Sequence, residues 1–123
     1  MSEAVAYIDD PVVAISIGRT YRPGINRSDL YNCTRGTWKI DKDRANKAHY
    51  ALAVYQGVIR EVFEIHEWLP SGSTEYTRQL GPNRDDGRSE FIGAVAPDKV
   101  RDKYIGKRMP ERFFGNPIRY YNC

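Results

Sequence analysis

Apolar and strand-forming residues concentrate in the stretch His49–Ile65, which also contains the clearest turn of the chain. Residues 49–55 are almost wholly apolar, long enough for a strand and too short for a helix of ordinary length. Gln56-Gly57 offers a two-residue turn, because Gly57 can adopt a positive φ. Residues 58–65 follow and are rich in β-branched and aromatic side chains. The pattern predicts a hairpin whose first strand, apolar on both faces, lies inside a barrel or a covered sheet.

Shorter elements are predicted on both sides of the hairpin. Apolar runs of strand composition occur at three further places, which are 12–17, 88–95 and 118–121. Capping residues and helix-ending glycines predict three short helices, at 28–35, 41–48 and 97–104. Ser28 and Asp41 are the expected N-caps of the first two helices, and Pro97 suits the first turn of the third.

The stretch Leu69–Gly87 has no strong period, several glycines and prolines, and few large apolar residues. A structureless stretch of that length is uncommon inside a compact domain. We expect a mobile loop that can close over a bound strand through Tyr76, Thr77 and Arg78. Gly93, inside the strand that follows, predicts a bulge or a close approach of another backbone.

The number and order of these elements limit the fold. Strands follow one another in a run and do not alternate with long crossovers, which disfavours a doubly wound sheet. A chain of 123 residues is expected to form one domain, 1–123, with a core of ordinary size. The predicted class is therefore α+β: a small, bent, mostly antiparallel β-barrel of five or six strands, with short helices packed at its ends.

Composition narrows the function without choosing one. The net charge of +3 permits a nucleic-acid partner but does not require one. There is no apolar run of transmembrane length and no signal-peptide pattern, so we expect a cytoplasmic protein with no membrane partner. Cys33 and Cys123 lack metal-ligand spacing and are expected to be reduced thiols. His49 and His66 have no nucleophile suggested by the sequence, so we expect neither an enzyme nor a metal or cofactor.

Aromatic and basic residues make binding the better hypothesis. Trp38 lies in a short extended piece predicted at 37–40, and Trp68 follows the second strand of the hairpin. At such strand ends side chains meet the mouth of a barrel and can stack on a planar base. Nine tyrosines add further flat surfaces, most of them expected in the core. Two basic runs, within 19–35 and 101–112, flank the aromatic residues in sequence and could position a phosphate backbone.

The order Arg35-Gly36-Thr37-Trp38, a short polar helix and a strand–glycine turn–strand hairpin resembles the core of the PUA-like superfamily, particularly its EVE, YTH and ASCH branches. The resemblance runs roughly from Val12 to Val95. In EVE and YTH domains a Gly-x-Trp element precedes such a hairpin, and a nearby tryptophan helps to form the cage for a modified base. The segments LYNCTRGTWKI, AHYALAVYQGVIREVFEI and GNPIRYYNC also resemble stretches of bacterial restriction and mobile-element proteins, which can accompany nuclease domains.

Together these features predict a nucleic-acid-binding module, for DNA or RNA, that accommodates a flipped, modified or single-stranded base in a restriction, defence or mobile-element setting. A nuclease subunit is a candidate partner. In the predicted site Trp38 stacks on the base, and Trp68 or Tyr55 forms the opposite wall. Arg35 and Arg88 contact phosphates, and Asn116 and Asn122 read the edge of the base. Two alternatives stay open: a small protein that sequesters nucleotides through the same aromatic mouth, and a protein-interaction domain that binds no nucleic acid.

Overall fold

The computed structural model describes residues 4–18, 22, 24–36, 38–70, 88–113 and 115–123. The elements in chain order are β1 (Val12–Ser16), α1 (Arg27–Arg35), α2 (Lys42–Lys47), β2 (Tyr50–Tyr55), β3 (Val58–Pro70), β4 (Ser89–Val95), α3 (Asp98–Tyr104) and β5 (Ile118–Tyr121). Every strand and helix predicted above is present, with ends shifted by a few residues. The predicted loop at 69–87 begins as the end of β3, and its residues 71–87 lie outside the described residues.

The central hairpin is confirmed. β2 and β3 pair antiparallel around a turn in which Gln56 has φ 52° and Gly57 has φ 78°. Positive φ at both central residues is the geometry of a type I′ turn, whose twist matches that of the flanking strands. Residues 51–54 of β2 are fully buried, as their apolar character on both faces predicted.

The sheet has five strands in the order β4-β3-β2-β1-β5. Three of the four pairings are antiparallel, while β1 pairs with β2 in parallel. A parallel pair needs a crossover connection, and here the crossover carries α1 and α2. The α+β class and the mostly antiparallel sheet are therefore confirmed. The described strands leave the sheet open, with β4 and β5 as its edges, and so do not form the expected closed barrel.

Helices cover the two faces of the sheet differently. On one face α1 and α2 pack over a core that includes Val13, Ile15, Phe63 and Phe91. On the other face α3 and the residues before β1 pack over a core that includes Leu52, Val62 and Tyr104. Alternate residues of β1 and β2 enter opposite cores, as the two-residue period of a strand requires.

The N-caps of the first two helices differ from the sequence prediction at α1 and agree with it at α2. The N-cap of α1 is Asn26 and not Ser28, because the Asn26 side-chain oxygen accepts a hydrogen bond of 2.8 Å from the Asp29 backbone N–H. Asp41 caps α2 as predicted, accepting from the backbone N–H groups of Asp43 and Arg44. Asn and Ser are about equally good N-caps, so residue type alone could not separate the two positions.

The strands β3 and β4 approach each other closely at Gly93, as predicted. A Cβ atom at this position would lie 1.9 Å from the carbonyl oxygen of Glu64. The register shifts nearby, between Ile65 and Glu67, so the irregularity lies in β3 while the glycine lies in β4. The Gly93 N–H donates to the Tyr31 hydroxyl over 3.0 Å, which joins this point of the sheet to α1.

A charged cluster fastens the segment before β1 to α3. The Lys103 ammonium lies 2.6 Å from Asp9 Oδ1 and 2.7 Å from Asp10 Oδ2. The hydroxyl of the fully buried Tyr104 donates to Asp10 over 2.6 Å. The hydrogen bond from Lys103 lowers the pKa of Asp9. Burial opposes the same change at Asp10, but the hydrogen bonds from Lys103 and Tyr104 outweigh it and lower that pKa too.

This cluster predicts a loss of stability in acid. Because both carboxyl pKa values are lower in the folded chain, their stabilisation is complete above the ordinary value of 3.8 and disappears as the pH falls through the folded-state values. Lys103→Met should therefore flatten the pH dependence of the free energy of unfolding below about pH 4. Urea denaturation between about pH 2 and pH 7 measures this, with Lys99→Met, an exposed lysine of the same helix, as the control. Identical pH profiles for the Lys103→Met variant and the parent would contradict it.

Candidate functional site

The two tryptophans lie near the sheet edge formed by β4, Trp38 beside β4 itself and Trp68 on the neighbouring strand β3. The Trp38 backbone runs along the outer side of β4 and makes two hydrogen bonds to Ser89, of 2.9 and 2.8 Å. Trp68 on β3 is paired in register with Phe91, and their rings meet edge to face with centroids 5.3 Å apart. We call Trp38, Trp68, Ser89 and Phe91 the tryptophan edge. Both indole side chains are half-buried, so each keeps some accessible surface.

The indole N–H groups of both tryptophans are already engaged. Trp38 Nε1 donates to the Thr34 carbonyl oxygen over 2.7 Å, in the last turn of α1. Trp68 Nε1 donates to the Ala45 carbonyl oxygen over 3.1 Å, in α2. Since the N–H is the one polar group of an indole, a ligand at this edge would meet aromatic surface and no indole donor.

Arg35, predicted to contact a phosphate, lies inside the protein. Its side chain is 4% exposed, and its Nη1 lies 3.2 Å from Oε2 of Glu90, whose side chain is 0% exposed. The Nε group donates to Asn32 Oδ1 over 2.7 Å, and the guanidinium carbon lies 5.3 Å from the centre of the Tyr31 ring. Arg35 would have to leave this ion pair to reach a phosphate, so its phosphate role stays a prediction.

Arg88 is the arginine that the fold presents beside the tryptophan edge. It is exposed and directly precedes Ser89, the residue that pairs with Trp38. The structure thus brings four of the predicted site residues to the same part of the sheet: Arg35, Trp38, Trp68 and Arg88.

Tyr55 is not placed with this group. It pairs with Val58 at the turn of the hairpin, whereas Trp68 is ten residues further along β3. At about 3.3 Å per residue, roughly 30 Å of strand separate the two positions. The Tyr55 ring lies instead 5.7 Å from the guanidinium carbon of Arg60. Tyr55 therefore lies too far away to form the opposite wall of a pocket with Trp38.

The two asparagines predicted as base-edge readers lie by the opposite edge strand, β5. Four strand spacings separate β4 from β5, or about 19 Å in a sheet of ordinary geometry. Asn116 Oδ1 accepts from the Ile118 backbone N–H over 2.9 Å. The Asn122 amide donates to the Ile8 and Asp10 carbonyl oxygens over 3.1 and 3.0 Å. These contacts shape the backbone around β5 and do not bring either side chain to the tryptophans.

Basic residues concentrate in the crossover that joins β1 to β2. Residues 19–47 contain eight Lys or Arg and three Asp, although the whole chain has a net charge of only +3. Six of these basic residues are described and exposed: Arg22, Arg27, Lys39, Lys42, Arg44 and Lys47. Arg27 belongs to α1 and Lys42, Arg44 and Lys47 belong to α2, the helices whose carbonyl groups hold the two indoles, while Arg22 and Lys39 lie in the connecting segments. Positive charge and aromatic surface therefore share one side of the molecule.

The second basic run follows the opposite layer, and two of its five basic residues, Arg101 and Lys103, form ion pairs with acidic side chains. Arg101 on α3 contacts the buried Glu61 over 2.8 Å and Asp98 over 3.3 Å, and its pKa is raised chiefly by the hydrogen bond to Glu61. Lys103 is bound by Asp9 and Asp10, as described above. The two runs that flank the aromatic residues in sequence thus do not flank one site in the fold.

Several residues around the tryptophan edge were not predicted from the sequence. Glu90 and Asn32 hold Arg35, Ser89 pairs with Trp38, and the Ala45 carbonyl holds Trp68. Glu90 stands in a strand between Ser89 and Phe91, where an alternating pattern suggests a solvent-facing acid. Its partner is 55 positions away in the chain, and no local signal could have identified it.

Other chemistry is sparse in the described residues. No group of three or more His, Cys, Asp or Glu side chains there could hold a metal ion. His66 Nε2 lies 3.3 Å from Glu64 Oε1 in a pair that is about half exposed. Burial raises the pKa of the Cys123 thiol, which disfavours its reactive thiolate form. Among the helices of the described ranges, none combines the length and the apolar character that crossing a membrane requires.

Comparison with known proteins adds no relative. No protein-family model matches the chain, and neither does any curated protein or any solved structure.

Proposed function

We propose that the chain is a nucleic-acid-binding module whose binding surface is the layer of α1 and α2 together with the tryptophan edge. The phosphate backbone would lie along the exposed basic residues of the crossover, and a base would stack on the accessible surface of Trp38 or Trp68. The observation that carries the proposal is the concentration of basic charge in the described part of the crossover, six exposed Lys or Arg against three Asp, where α1 and α2 also hold both tryptophans.

The physics of nucleic-acid binding favours this combination. Contacts between cations and phosphates supply most of the sequence-independent affinity, because each one releases a counterion. Aromatic stacking adds about 1–3 kcal/mol for each base. Neither contribution requires a catalytic group, which suits a site built from basic and aromatic residues.

A distant relationship to the PUA-like superfamily is part of the proposal, and so is a restriction, defence or mobile-element setting with a nuclease partner. The mostly antiparallel sheet and the Trp38 element before the central hairpin support that relationship. Closing the sheet into the barrel of that superfamily would require contact between β4 and β5, which are opposite edges in the described strands.

Charge reversal on the crossover tests the proposed surface. We expect the double variant Lys39→Glu and Lys42→Glu to weaken binding to a mixed-sequence oligonucleotide at least about tenfold, because two phosphate contacts become repulsive. The slope of log affinity against log salt concentration should also become shallower, by about 0.7–0.9 for each phosphate that the variant no longer neutralises. Fluorescence anisotropy at several salt concentrations measures both quantities.

The matched control is Lys99→Glu with Arg112→Glu, which makes the same change of net charge at exposed positions outside the crossover. This variant should bind nearly as well as the parent. Equally weakened binding by both double variants would mean that only net charge matters, and the proposed surface would be wrong. Tight binding of a mononucleotide with little salt dependence would favour a nucleotide-sequestering protein, and no binding at all a protein-interaction domain.

A further inference from the structure

We infer that the tryptophan edge takes single-stranded nucleic acid by stacking alone and does not select among the bases. This inference rests on the proposed function and specifies its ligand. The sequence predicted instead a reader of modified bases. The two differ because the polar groups of the site already make hydrogen bonds or ion pairs within the protein.

The first support comes from the two indoles. A tryptophan can hydrogen-bond to a base edge only through its N–H, and both N–H groups donate to backbone carbonyl oxygens, of Thr34 and Ala45. What remains for a ligand is aromatic surface. Every base has a face that can stack on such a surface, so this contact distinguishes poorly between bases.

The second support comes from the candidate base-edge readers. An asparagine reads adenine with its amide oxygen and its amide nitrogen together. Asn116 has its oxygen engaged by the Ile118 N–H, and Asn122 has its nitrogen engaged by two carbonyl oxygens. Neither can make the paired contact without giving up a bond within the protein. Both also lie by β5, at the other edge of the sheet.

The third support is the burial of Arg35 and Glu90. A guanidinium reads guanine and a carboxylate reads cytosine, so these two side chains would be the natural readers beside Trp38. They are 4% and 0% exposed and face each other over 3.2 Å. Both are therefore occupied with the protein's own structure.

Stacking also predicts a strand preference. In a duplex the faces of each base are covered by its neighbours, and exposing one requires unstacking. A single strand presents its bases without that cost, while its phosphates can still lie along the basic crossover. Single strands should therefore bind better than duplexes of the same sequence.

The test is a panel of labelled oligonucleotides of about twelve nucleotides, the upper range of a small binding site. The panel contains dT, dA and dC homopolymers, a strand with isolated guanines, a strand with methylated cytosine or adenine, and a duplex. Anisotropy gives each Kd, and quenching of the two tryptophans reports stacking directly. We expect the single strands to agree within about fivefold, the duplex to bind at least about tenfold more weakly, and tryptophan fluorescence to fall on binding.

Two results would separate this inference from the proposed function. Salt-dependent binding with a preference above about fivefold for one base, or for the methylated strand, would overturn the inference and leave nucleic-acid binding intact. A preference for guanine would point to Arg88, the exposed arginine next to Ser89. A failure of every oligonucleotide to bind would overturn the proposed function itself.

Discussion

Replacing Gly93 by alanine should remove a large part of the stability of the domain. The new methyl group would lie 1.9 Å from the carbonyl oxygen of Glu64, 3.0 Å from its carbonyl carbon and 3.4 Å from the Ile65 Cα. All three are backbone atoms of β3, which cannot turn away as a flexible side chain could. The strands must therefore separate at this point, and the hydrogen bond from Gly93 to Tyr31 is disturbed at the same time.

We expect the free energy of unfolding to fall by about 3 kcal/mol or more, at the upper end of the cost of overpacking. Ordinary domains have a total stability of about 5–15 kcal/mol, so the variant should unfold at a clearly lower urea concentration. Gly18→Ala is the matched control, because Gly18 has open space around its Cβ position and is not among the glycines with positive φ. Equal stability of the Gly93→Ala variant and the parent would show that β3 can yield here.

The elements that could be predicted from the sequence are those fixed by neighbouring residues. Asp41 caps α2 because its side chain reaches N–H groups two and three positions ahead. Gln56 and Gly57 form the predicted turn because its geometry needs a residue that tolerates positive φ. In both cases the interacting groups are adjacent in the chain, so the pattern of residue types carries the information.

The arrangement of the strands depended on information that is not local. A hairpin is predicted from two strands and a turn, but nothing near β1 indicates that it pairs in parallel with β2 across the segment that holds α1 and α2. The pairing of β1 with β5 joins strands from the two ends of the chain. An open sheet and a barrel can contain the same strands, and the choice between them lies in these distant pairings.

In the candidate site, too, the residue types could be predicted, whereas the contacts that the fold creates could not. Trp38 and Trp68 could be singled out by residue type and by their positions at strand ends. The bonds that orient them could not, since the acceptors are backbone carbonyl oxygens of Thr34 and Ala45. Arginine in a basic run suggests a phosphate contact, and only the fold reveals that Arg35 faces a buried carboxylate.

Breaking the ion pair between Arg35 and Glu90 should lower the free energy of unfolding by about as much as Gly93→Ala does. Glu90→Leu removes the carboxylate that faces a guanidinium which is itself 4% exposed, and Arg35→Met leaves Glu90 and Asn32 without the bonds that it donates. Losing one partner of a buried ion pair costs about 3–5 kcal/mol, because a charge remains where water cannot solvate it. The double variant should be less destabilised than the sum of the single variants by about 1–3 kcal/mol, since it leaves neither charge.

An ion pair of similar length with an exposed acidic partner provides the control for this cycle. Asp98 lies 3.3 Å from Arg101 but is 90% exposed, so Asp98→Ala should change the free energy of unfolding by less than about 1 kcal/mol. Urea denaturation of the four variants and the parent, together with oligonucleotide anisotropy, separates a structural Arg35 from a phosphate contact. A structural Arg35 predicts that the Arg35→Met variant loses stability and that its folded fraction keeps the salt slope of the parent. An Arg35→Met variant as stable as the parent, with weaker binding and a shallower salt slope, would instead make Arg35 a phosphate contact that leaves the ion pair when ligand binds.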